Sequence, residues 1–467
     1  MTAPPTPSRR SADDQVDPPI NSPAGHDISL DHHDIAVPAE ASALHRSRPA
    51  SPMRASRYLL ALGVTAALVL AVTWLFVVMA PLAFLDPEYP YWLAKQELLR
   101  QCDLGTVLVV GDSRAATDII PARLGVTTTN LAVGGGEAIE AYATVRRALA
   151  CPNPPLRVVI SFDAAHFVSP DLFWDRSVRF GALDYAELRE LRTISEALGD
   201  TAILDQKRAD GLPRGLRALL YAAHFPGLYF NSLLQGGVVL RWWENRAALH
   251  AGLAARGQYF FGTAAGSNVV AAEGHLAGFT PLPVLDAYFD RLLALLAARH
   301  IETDFVAMPL NAATARMVRP VVRQGFTAYL AGYAARYPNF HILGSLMPAW
   351  QDGWFGDEFA HLNPAGAALF SAGFGDCLRI RLADQAAAQL ALRQIPRGIP
   401  TKIPREVVPE GRRQLAARVT DAACAALDQP PLQDAPPSTQ NAAQWGWFNA
   451  TGRAASTSVS PISKRGS

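Results

Sequence analysis

The sequence predicts an α/β domain with a mostly parallel sheet, because short apolar runs alternate with segments of helical periodicity along much of the chain. In the clearest example, Val107–Val110 runs directly into Gly111-Asp112-Ser113. An apolar run of this kind that ends at a glycine is typical of a buried parallel strand. Five segments have this strand character: Val107–Val110, Thr127–Val133, Arg157–Phe162, Thr303–Ala307 and Phe340–Leu343.

Composition allows a large core and gives no reason to expect a nucleic-acid partner. The chain has 467 residues, is 50% hydrophobic and carries a formal net charge of +1. A near-neutral chain lacks the basic surface that binds phosphate backbones. The four cysteines contain no Cys-x-x-Cys pair, which argues against a zinc site. Cys102 and Cys151 each precede a predicted strand, so they could form a disulfide in an oxidising compartment or stay as two free thiols.

Both ends of the chain predict disordered tails. Residues 1–57 are rich in Pro, Ser, Ala, Asp and His and show little apolar periodicity. Residues 387–467 shift to Pro, Ala, Ser, Arg and Gln, with one helical pattern at about Arg412–Leu427. Such compositions bury too little apolar surface to offset the entropy lost on ordering.

Tyr58–Leu85 predicts a single transmembrane helix. It holds no charged residue and exceeds the roughly 20 residues that cross a bilayer as a helix. It is too long, and begins too late, for a cleaved signal peptide. Arginines precede it and acidic residues follow it: Arg46, Arg48, Arg54 and Arg57, then Asp86 and Glu88. The positive-inside rule therefore predicts a cytoplasmic N-terminus and, in a bacterium, a main domain on the periplasmic side of the inner membrane.

Residues 86–386 hold the predicted α/β domain. An amphipathic helix over Tyr89–Gln101 leads away from the membrane, and Ile139–Ala150 predicts a helix between the second and third strands. Residues from about 170 to 278 are rich in aromatics and largely helical in pattern. Because loops of this length are uncommon in compact domains, this stretch predicts a helical insertion that caps the sheet.

Ser113 is the first candidate for chemistry. It follows the strand Val107–Val110 and opens the next helix, a position at the carboxyl edge of the sheet where α/β proteins place their active sites. The free N–H groups of a helix N-terminus favour negative charge that develops nearby. A serine hydroxyl in this position is a candidate nucleophile.

The second informative stretch is Trp354–Phe374. Pro364 and the apolar residues after it predict a helix start with Asn363 as N-cap, so His361 lies on the loop just before a helix. A base needs a carboxylate that fixes its tautomer and a hydroxyl to deprotonate. Asp357 and Glu358 stand four and three residues upstream, and either could be that carboxylate.

These motifs resemble the SGNH (GDSL-like) hydrolase family over about residues 105–374, the insertion excepted. The resemblance implies a flavodoxin-like α/β/α sandwich with Ser113 as nucleophile and His361 as base. Asn130-Leu-Ala-Val-Gly134-Gly135 is similar to the family's second block, which assigns the oxyanion amide to Gly135, with Gly134 as the alternative register.

The chain departs from the family pattern at two positions. The acid three residues before His361 is Glu358 instead of aspartate, with Asp357 adjacent, so both stay open as the third member of the triad. In the third block the family's oxyanion asparagine is replaced by Asp163, a carboxylate that accepts hydrogen bonds and repels an oxyanion. The loss of one such donor costs roughly 10²–10³ in rate in a serine hydrolase.

A narrower resemblance concerns function. One membrane anchor with "GDSRA", "NLAVGGGEAIE" and "HLNPAGA" is similar to proteins that work beside membrane-bound O-acyltransferases in the acylation of exported polymers. It implies an O-acyltransferase or esterase for an exopolysaccharide such as cellulose or alginate, with a membrane-bound O-acyltransferase or polysaccharide synthase as partner and neither metal nor cofactor. The alternatives are a non-catalytic accessory subunit of such a complex, and an anchored domain in which Ser113 and His361 never meet.

Overall fold

The computed structural model describes residues 52–170, 172–206, 212–236, 238–393, 424, 425 and 427. The predicted tail over residues 1–51 and most of the one over 394–467 lie outside these residues, as does most of the predicted helix Arg412–Leu427. The described strands are β1 (Val107–Gly111), β2 (Thr128–Asn130), β3 (Arg157–Ser161), β4 (Glu302–Val306), β5 (Leu310–Asn311), β6 (Phe340–Leu343) and β7 (Ala349–Trp350).

The described helices alternate with these strands through most of the domain. They are α1 (Pro52–Met79), α2 (Pro81–Phe84), α3 (Tyr89–Arg100), α4 (Ser113–Asp118), α5 (Ala138–Ala148), α6 (Ala165–Val168), α7 (Tyr185–Leu198), α8 (Ala202–Asp205), α9 (Arg214–Ala222), α10 (Phe230–Gln235), α11 (Val238–Ala254), α12 (Pro283–Ala298), α13 (Ala312–Met317), α14 (Pro320–Arg336) and α15 (Pro364–Arg393).

Five of the described strands form a parallel sheet in the order β2-β1-β3-β4-β6. This confirms the predicted α/β class with a mostly parallel sheet, and each predicted strand contributes to it. The strand order reverses between β1 and β3, and such a switch point opens a crevice at the carboxyl ends of the strands. The second strand is shorter than predicted because the regular strand ends at Asn130, whose side chain accepts from the N–H of Ala132.

Helices cover both faces of the sheet, and alternate strand residues therefore belong to different cores. Leu108 and Ile160 face a core built with α5, α12 and α14, whereas Val109 and Val159 face one built with α4 and α15. All four side chains are fully buried. Helices cover both sides of each strand, so residues on both sides are apolar and the strands appear in the sequence as continuous apolar runs.

The candidate membrane-spanning helix has different bounds from those predicted. Within α1, Ala55–Met79 is long and apolar enough to cross a membrane, with a mean hydropathy of 2.4. The predicted span ran to Leu85, but helix α1 ends at Met79 and Pro81 starts the separate helix α2. Phe84 and Leu85 are buried in the domain, so the end of the apolar run belongs to its core.

The stretch predicted as a helical insertion contains helices α7–α11, and α12 follows it before β4. Helix α15 runs past the predicted boundary at residue 386 to Arg393. Two disulfides join Cys102 to Cys151 and Cys377 to Cys424. Of the two possibilities left open for Cys102 and Cys151, a disulfide or two free thiols, the structure shows the disulfide. The bond between Cys377 and Cys424 holds a piece of the C-terminal segment against α15.

Candidate active site

Ser113 is placed by a tightly bonded turn between β1 and α4. Gly111 has φ +154°, and a Cβ there would overlap the carbonyl oxygen of Ser161, so this position requires glycine. One carboxylate oxygen of Asp112 accepts from the N–H groups of Arg114 (2.9 Å) and Ala115 (3.2 Å), which caps α4. The other accepts from the N–H of Asp163 (2.9 Å). The turn therefore presents Ser113 as the first residue of its helix.

His361 lies on a loop that is fixed at several points just before α15. Its carbonyl accepts from the N–H of Gly356 (2.8 Å). The N–H of Leu362 donates to a carboxyl oxygen of Asp118 at the end of α4 (2.9 Å). Asn363 caps α15 by accepting from the N–H of Gly366 (2.9 Å), as its position before Pro364 predicted. The loop is thereby tied to the helix that carries Ser113.

The structure brings Ser113, His361 and Asp357 into one hydrogen-bonded chain. Ser113 Oγ lies 2.8 Å from His361 Nε2, and His361 Nδ1 lies 2.5 Å from Asp357 Oδ2. With the proton on Nδ1, the imidazole donates to the carboxylate and accepts from the serine hydroxyl. The 2.8 Å distance also rules out the alternative in which Ser113 and His361 never meet.

Asp357, and not Glu358, is the carboxylate at His361. Ala360 has φ +61°, a left-handed residue that turns the chain so that position 357 faces the ring. Burial raises the pKa of Asp357, but hydrogen bonds from the ring and the N–H of His361 and from the N–H of Phe359 outweigh burial, and its pKa is lowered. Glu358 is exposed, and among the described contacts it has none with His361. Of the two carboxylates that the sequence left open, the structure places Asp357 at the imidazole.

Asn130 is structural and fully buried. Its amide nitrogen donates to the carbonyls of Ala115 (2.8 Å) and Ile119 (2.9 Å), and its oxygen accepts from the N–H of Ala132 (3.1 Å). These three bonds join the end of α4 to the loop after β2. The side chain of Asn130, which the sequence grouped with the oxyanion and substrate-binding residues of this block, is thus committed to the scaffold through both its amide nitrogen and its oxygen.

The loop after β2 carries the two candidate oxyanion glycines. Gly135 has φ +68°, a left-handed turn conformation that glycine adopts without strain. A Cβ on Gly134 would overlap Glu88 Oε1 and would come within 3.0 Å of Arg176 Nη1. The loop therefore packs directly against the segment that follows the membrane helix.

Asp163 stands at the end of β3 as an ionised acceptor. Its carboxylate lies 2.9 Å from His166 Nδ1 and 3.6 Å from Arg114 Nη2. Burial raises the pKa of Asp163, but the charges of His166 and Arg114 lower it further than burial raises it. A carboxylate held in this state cannot donate to an oxyanion, so the third donor of the family pattern is missing at this position.

A buried charge network extends from Asp163 behind the serine turn. Arg114 forms a two-pronged pair with Glu273, with Nη2 2.8 Å from Oε2. Burial lowers the pKa of His166, but the neighbouring carboxylates of Asp163 and Asp112 raise it to about 10. His166 is therefore a cation at neutral pH. Together with Arg114 it faces three carboxylates, those of Asp112, Asp163 and Glu273.

Three residues of this network form a candidate metal-binding cluster within the described part of the chain. Ligand atoms of Asp112, Asp163 and His166 lie within 4.8 Å of one another, which is close enough for one ion. Metal binding requires a neutral imidazole, whereas His166 holds its proton and the Arg114 guanidinium already lies beside Asp163. The residues present suit an ion-pair network better than a metal.

Several residues that shape the site carry no sequence motif. The ring of Phe261 stacks on His361 with centroids 4.6 Å apart, and Tyr259 packs on Phe261 at 4.7 Å. The Tyr259 hydroxyl donates to Glu88 (2.8 Å), which also pairs with Arg176 (3.0 Å). The contacts of Phe261 with His361 and of Glu88 with Tyr259 and Arg176 join distant parts of the chain, so no local spacing could have revealed them.

Asp118 is a further residue that the sequence did not single out. Burial raises the pKa of Asp118 well above its ordinary value. It accepts from the N–H of Leu362, and its own backbone carbonyl accepts from the hydroxyl of Ser371 on α15 (2.9 Å). Asp118 therefore connects the serine helix to both the histidine loop and α15.

The α/β fold and the side-chain geometry together define a serine–histidine–aspartate triad at the carboxyl edge of a parallel sheet. No protein-family model matches the chain, and no curated protein matches it significantly. The chemistry of such a triad is general-base activation of a hydroxyl for attack on an electrophilic carbonyl.

Proposed function

We propose that the protein is a membrane-anchored serine O-acyltransferase or esterase of the SGNH type, acting on an exported polysaccharide such as a cellulose- or alginate-like polymer. The observation that carries this proposal is the chain of contacts from Ser113 through His361 to Asp357. Two further observations support it. The order β2-β1-β3-β4-β6 becomes the 2-1-3-4-5 order of flavodoxin-like folds when only the strands of this sheet are numbered, and Ser113 stands beside the switch point.

In the proposed reaction Ser113 Oγ attacks the carbonyl carbon of an acyl ester while His361 Nε2 takes the hydroxyl proton. Asp357 stabilises the imidazolium that forms. The tetrahedral intermediate then collapses, the C–O bond to the leaving alcohol breaks, and His361 returns the proton to that alcohol. A sugar hydroxyl, or water in the esterase version, loses its proton to His361 and takes the acyl group from Ser113 in the second half.

The oxyanion is assigned to two backbone donors, the N–H groups of Ser113 and Gly135. The first lies at the N-terminus of α4, where the helix dipole favours negative charge. Asp163 supplies no third donor because it is ionised. We therefore expect slower hydrolysis than in a site with three donors, by roughly 10²–10³ if nothing replaces the third.

The proposed location is the outer face of a bacterial inner membrane, with the N-terminus in the cytoplasm. The apolar helix Ala55–Met79 and the arginines before it support this orientation. The two disulfides support an oxidising compartment, because such bonds rarely persist in the cytosol. In this location a membrane-bound O-acyltransferase or a polysaccharide synthase is the proposed partner.

The test uses the full chain in detergent with an acetyl ester that has a coloured leaving group. We expect wild-type protein to release the chromophore, and Ser113→Ala to lose at least about 10³ of the rate. Addition of cello- or uronate oligosaccharides would separate transfer from hydrolysis, because transfer yields an acetylated sugar. Equal release by wild type and Ser113→Ala would refute the nucleophile assignment.

A second function, a non-catalytic polymer-binding subunit of such a complex, is favoured by one observation. Asp163 occupies the donor position with a negative charge and is held there by His166 and Arg114. Absence of any esterase or transfer activity in wild type, together with polymer co-sedimentation that survives Ser113→Ala, would support this reading over the first.

A further inference from the structure

The short helix α2, which follows the membrane helix, is surrounded by helices of the insertion. From α11, the amide nitrogen of Asn245 donates to the carbonyls of Leu82 (2.9 Å) and Leu85 (3.1 Å). Arg241, also on α11, donates to the carbonyl of Phe84 (3.2 Å). The ring of Phe84 packs edge-on against Tyr229, just before α10. The insertion is thus bonded to the point where the chain leaves α1.

The insertion also reaches back along α1 itself. Trp74 Nε1 donates to the carbonyl of Ala223 (2.7 Å), and its ring meets Phe225 edge-on with centroids 5.6 Å apart. At 1.5 Å per residue, Trp74 lies roughly 7–8 Å along the helix axis from Met79. The end of α9 is therefore beside the last turns of the apolar helix, the level at which tryptophans gather in membrane proteins.

Helix α9 buries a charged side chain beside Ala218 and Tyr221 and exposes leucines. Its buried face carries Arg217, whose guanidinium donates to the carbonyl of Leu204 (3.1 Å) and covers the ring of Trp174. Its exposed face carries Leu216 and Leu219, and their spacing puts them on the same side as Ala223, the residue bonded to Trp74. A leucine face in water is unfavourable unless something apolar covers it.

Helices α10 and α11 add further apolar side chains to the same neighbourhood. The insertion face is defined here by five exposed residues: Leu216, Leu219, Phe230, Leu234 and Trp243. Leu234 is 69% exposed and Trp243 66%. The end of α9 contacts α1, and α10 and α11 contact α2, so all three helices lie beside the end of the apolar helix.

We propose that the insertion face docks into the interfacial layer of the bilayer that α1 crosses. We choose the lipid interface as the partner of this face because the end of α9 is bonded to Trp74, within the last turns of the apolar helix. A bilayer that α1 crosses would therefore reach α9 as well. The apolar side chains would enter the boundary between headgroups and acyl chains by about 5–10 Å, as surface-bound amphipathic helices do. The proposal does not use the triad and holds whether or not the protein is an enzyme.

The test places a single fluorescent label on the full chain in phosphatidylcholine vesicles. All four cysteines of the sequence are paired in disulfides, so a cysteine at Leu216 or Leu234 gives the only free thiol. The control is Leu156→Cys, at a leucine 54% exposed just before β3. It lies at the amino edge of the sheet, near the end of α3 that is farther from α2.

We expect lipids with a quencher near the headgroup to quench the labels of Leu216→Cys and Leu234→Cys several-fold more strongly than the label of Leu156→Cys. In the background of Leu219→Glu and Phe230→Glu, quenching at Leu234→Cys should fall towards the control, with circular dichroism showing that the fold is kept. Equal weak quenching at all three sites in vesicles would overturn the proposal. If the labels at Leu216→Cys and Leu234→Cys are quenched or shielded from water only after a membrane protein is added, the lipid proposal is overturned and the face binds a protein partner.

Discussion

Two neighbouring carboxylates in the histidine loop differ in what they touch. Asp357 receives three hydrogen bonds from the loop and the imidazole, whereas Glu358 is exposed. We therefore expect Asp357→Asn to lower kcat for an acyl ester by about 10³–10⁴, because the imidazole loses its orienting carboxylate. Glu358→Gln is the matched control and should keep wild-type kcat. A larger loss in Glu358→Gln than in Asp357→Asn would contradict the triad as drawn.

His166 gives a second residue-level prediction, on stability. Its folded pKa of about 10 lies above the unfolded value of about 6.5, so the folded state holds the proton more tightly. The stabilisation is complete below about pH 6.5 and is lost as pH rises through about 10. The difference in free energy of unfolding between wild type and His166→Gln should shrink over this window, measured by urea unfolding at several pH values.

The comparison with His166→Gln is needed because Lys95 titrates over the same pH range, and its effect on the free energy of unfolding has the opposite sign. Burial lowers the pKa of Lys95 to about 7, so its contribution grows more favourable as pH rises from there. Lys95 is present in both proteins and its effect cancels in the difference. A difference that stays constant from about pH 6.5 to 10 would mean that His166 is neutral in the folded state.

At the residue scale, local spacing was enough to single out Ser113 and His361, because a strand–turn–helix junction and a helix start each have short sequence signals. Local spacing was not enough for the acid, since the left-handed Ala360 moves the bonded carboxylate by one position. Phe261 and Asp118 reach the site through contacts between distant segments. Such residues can be found only once the fold is known.

Between elements, the buried pair of Arg114 and Glu273 joins α4 to the short turn Ala272–His275. Arg114→Met should lower the free energy of unfolding by about 3–5 kcal/mol, because it leaves the Glu273 carboxylate buried without its partner. The double variant Arg114→Met with Glu273→Leu should lose less, since no unpaired charge remains. Urea unfolding of the two variants provides the measurement, and equal losses in both would contradict the pairing.

The strands and the candidate membrane-spanning helix were predictable for the same reason. Both are continuous apolar runs, and their lengths tell them apart. The sequence could not show where the membrane run ends, because Phe84 and Leu85 are as apolar as the residues before them. Their place is decided by Pro81, which starts a new helix, and by packing against Tyr229 and Trp92. Residues of this stretch that are buried in the protein core are as apolar as those that would face lipid, so composition alone does not separate them.

For the molecule as a whole, the bond between Cys102 and Cys151 closes the unit that contains β1, β2 and α5, across 49 residues. Replacing both residues by serine should lower the free energy of unfolding by about 2–4 kcal/mol, because the unfolded chain regains the freedom that the link removes. Urea unfolding without reductant measures the loss. Protein made in a reducing cytoplasm should resemble the double variant, and an unchanged midpoint in both would show that the link contributes nothing.

Contacts connect the exit of the anchor to the imidazole without a flexible tether. Glu88 follows α2 closely, accepts from Tyr259, and Tyr259 packs on the ring that covers His361. In the proposed membrane-anchored arrangement, folded protein sets the height of the Ser113 hydroxyl above the lipid, and the site cannot sweep through the surrounding space. Under the proposed function, polymer chains that emerge from a neighbouring exporter would pass at that height, whereas finished polymer elsewhere would not, and acylation would be confined to the moment of export.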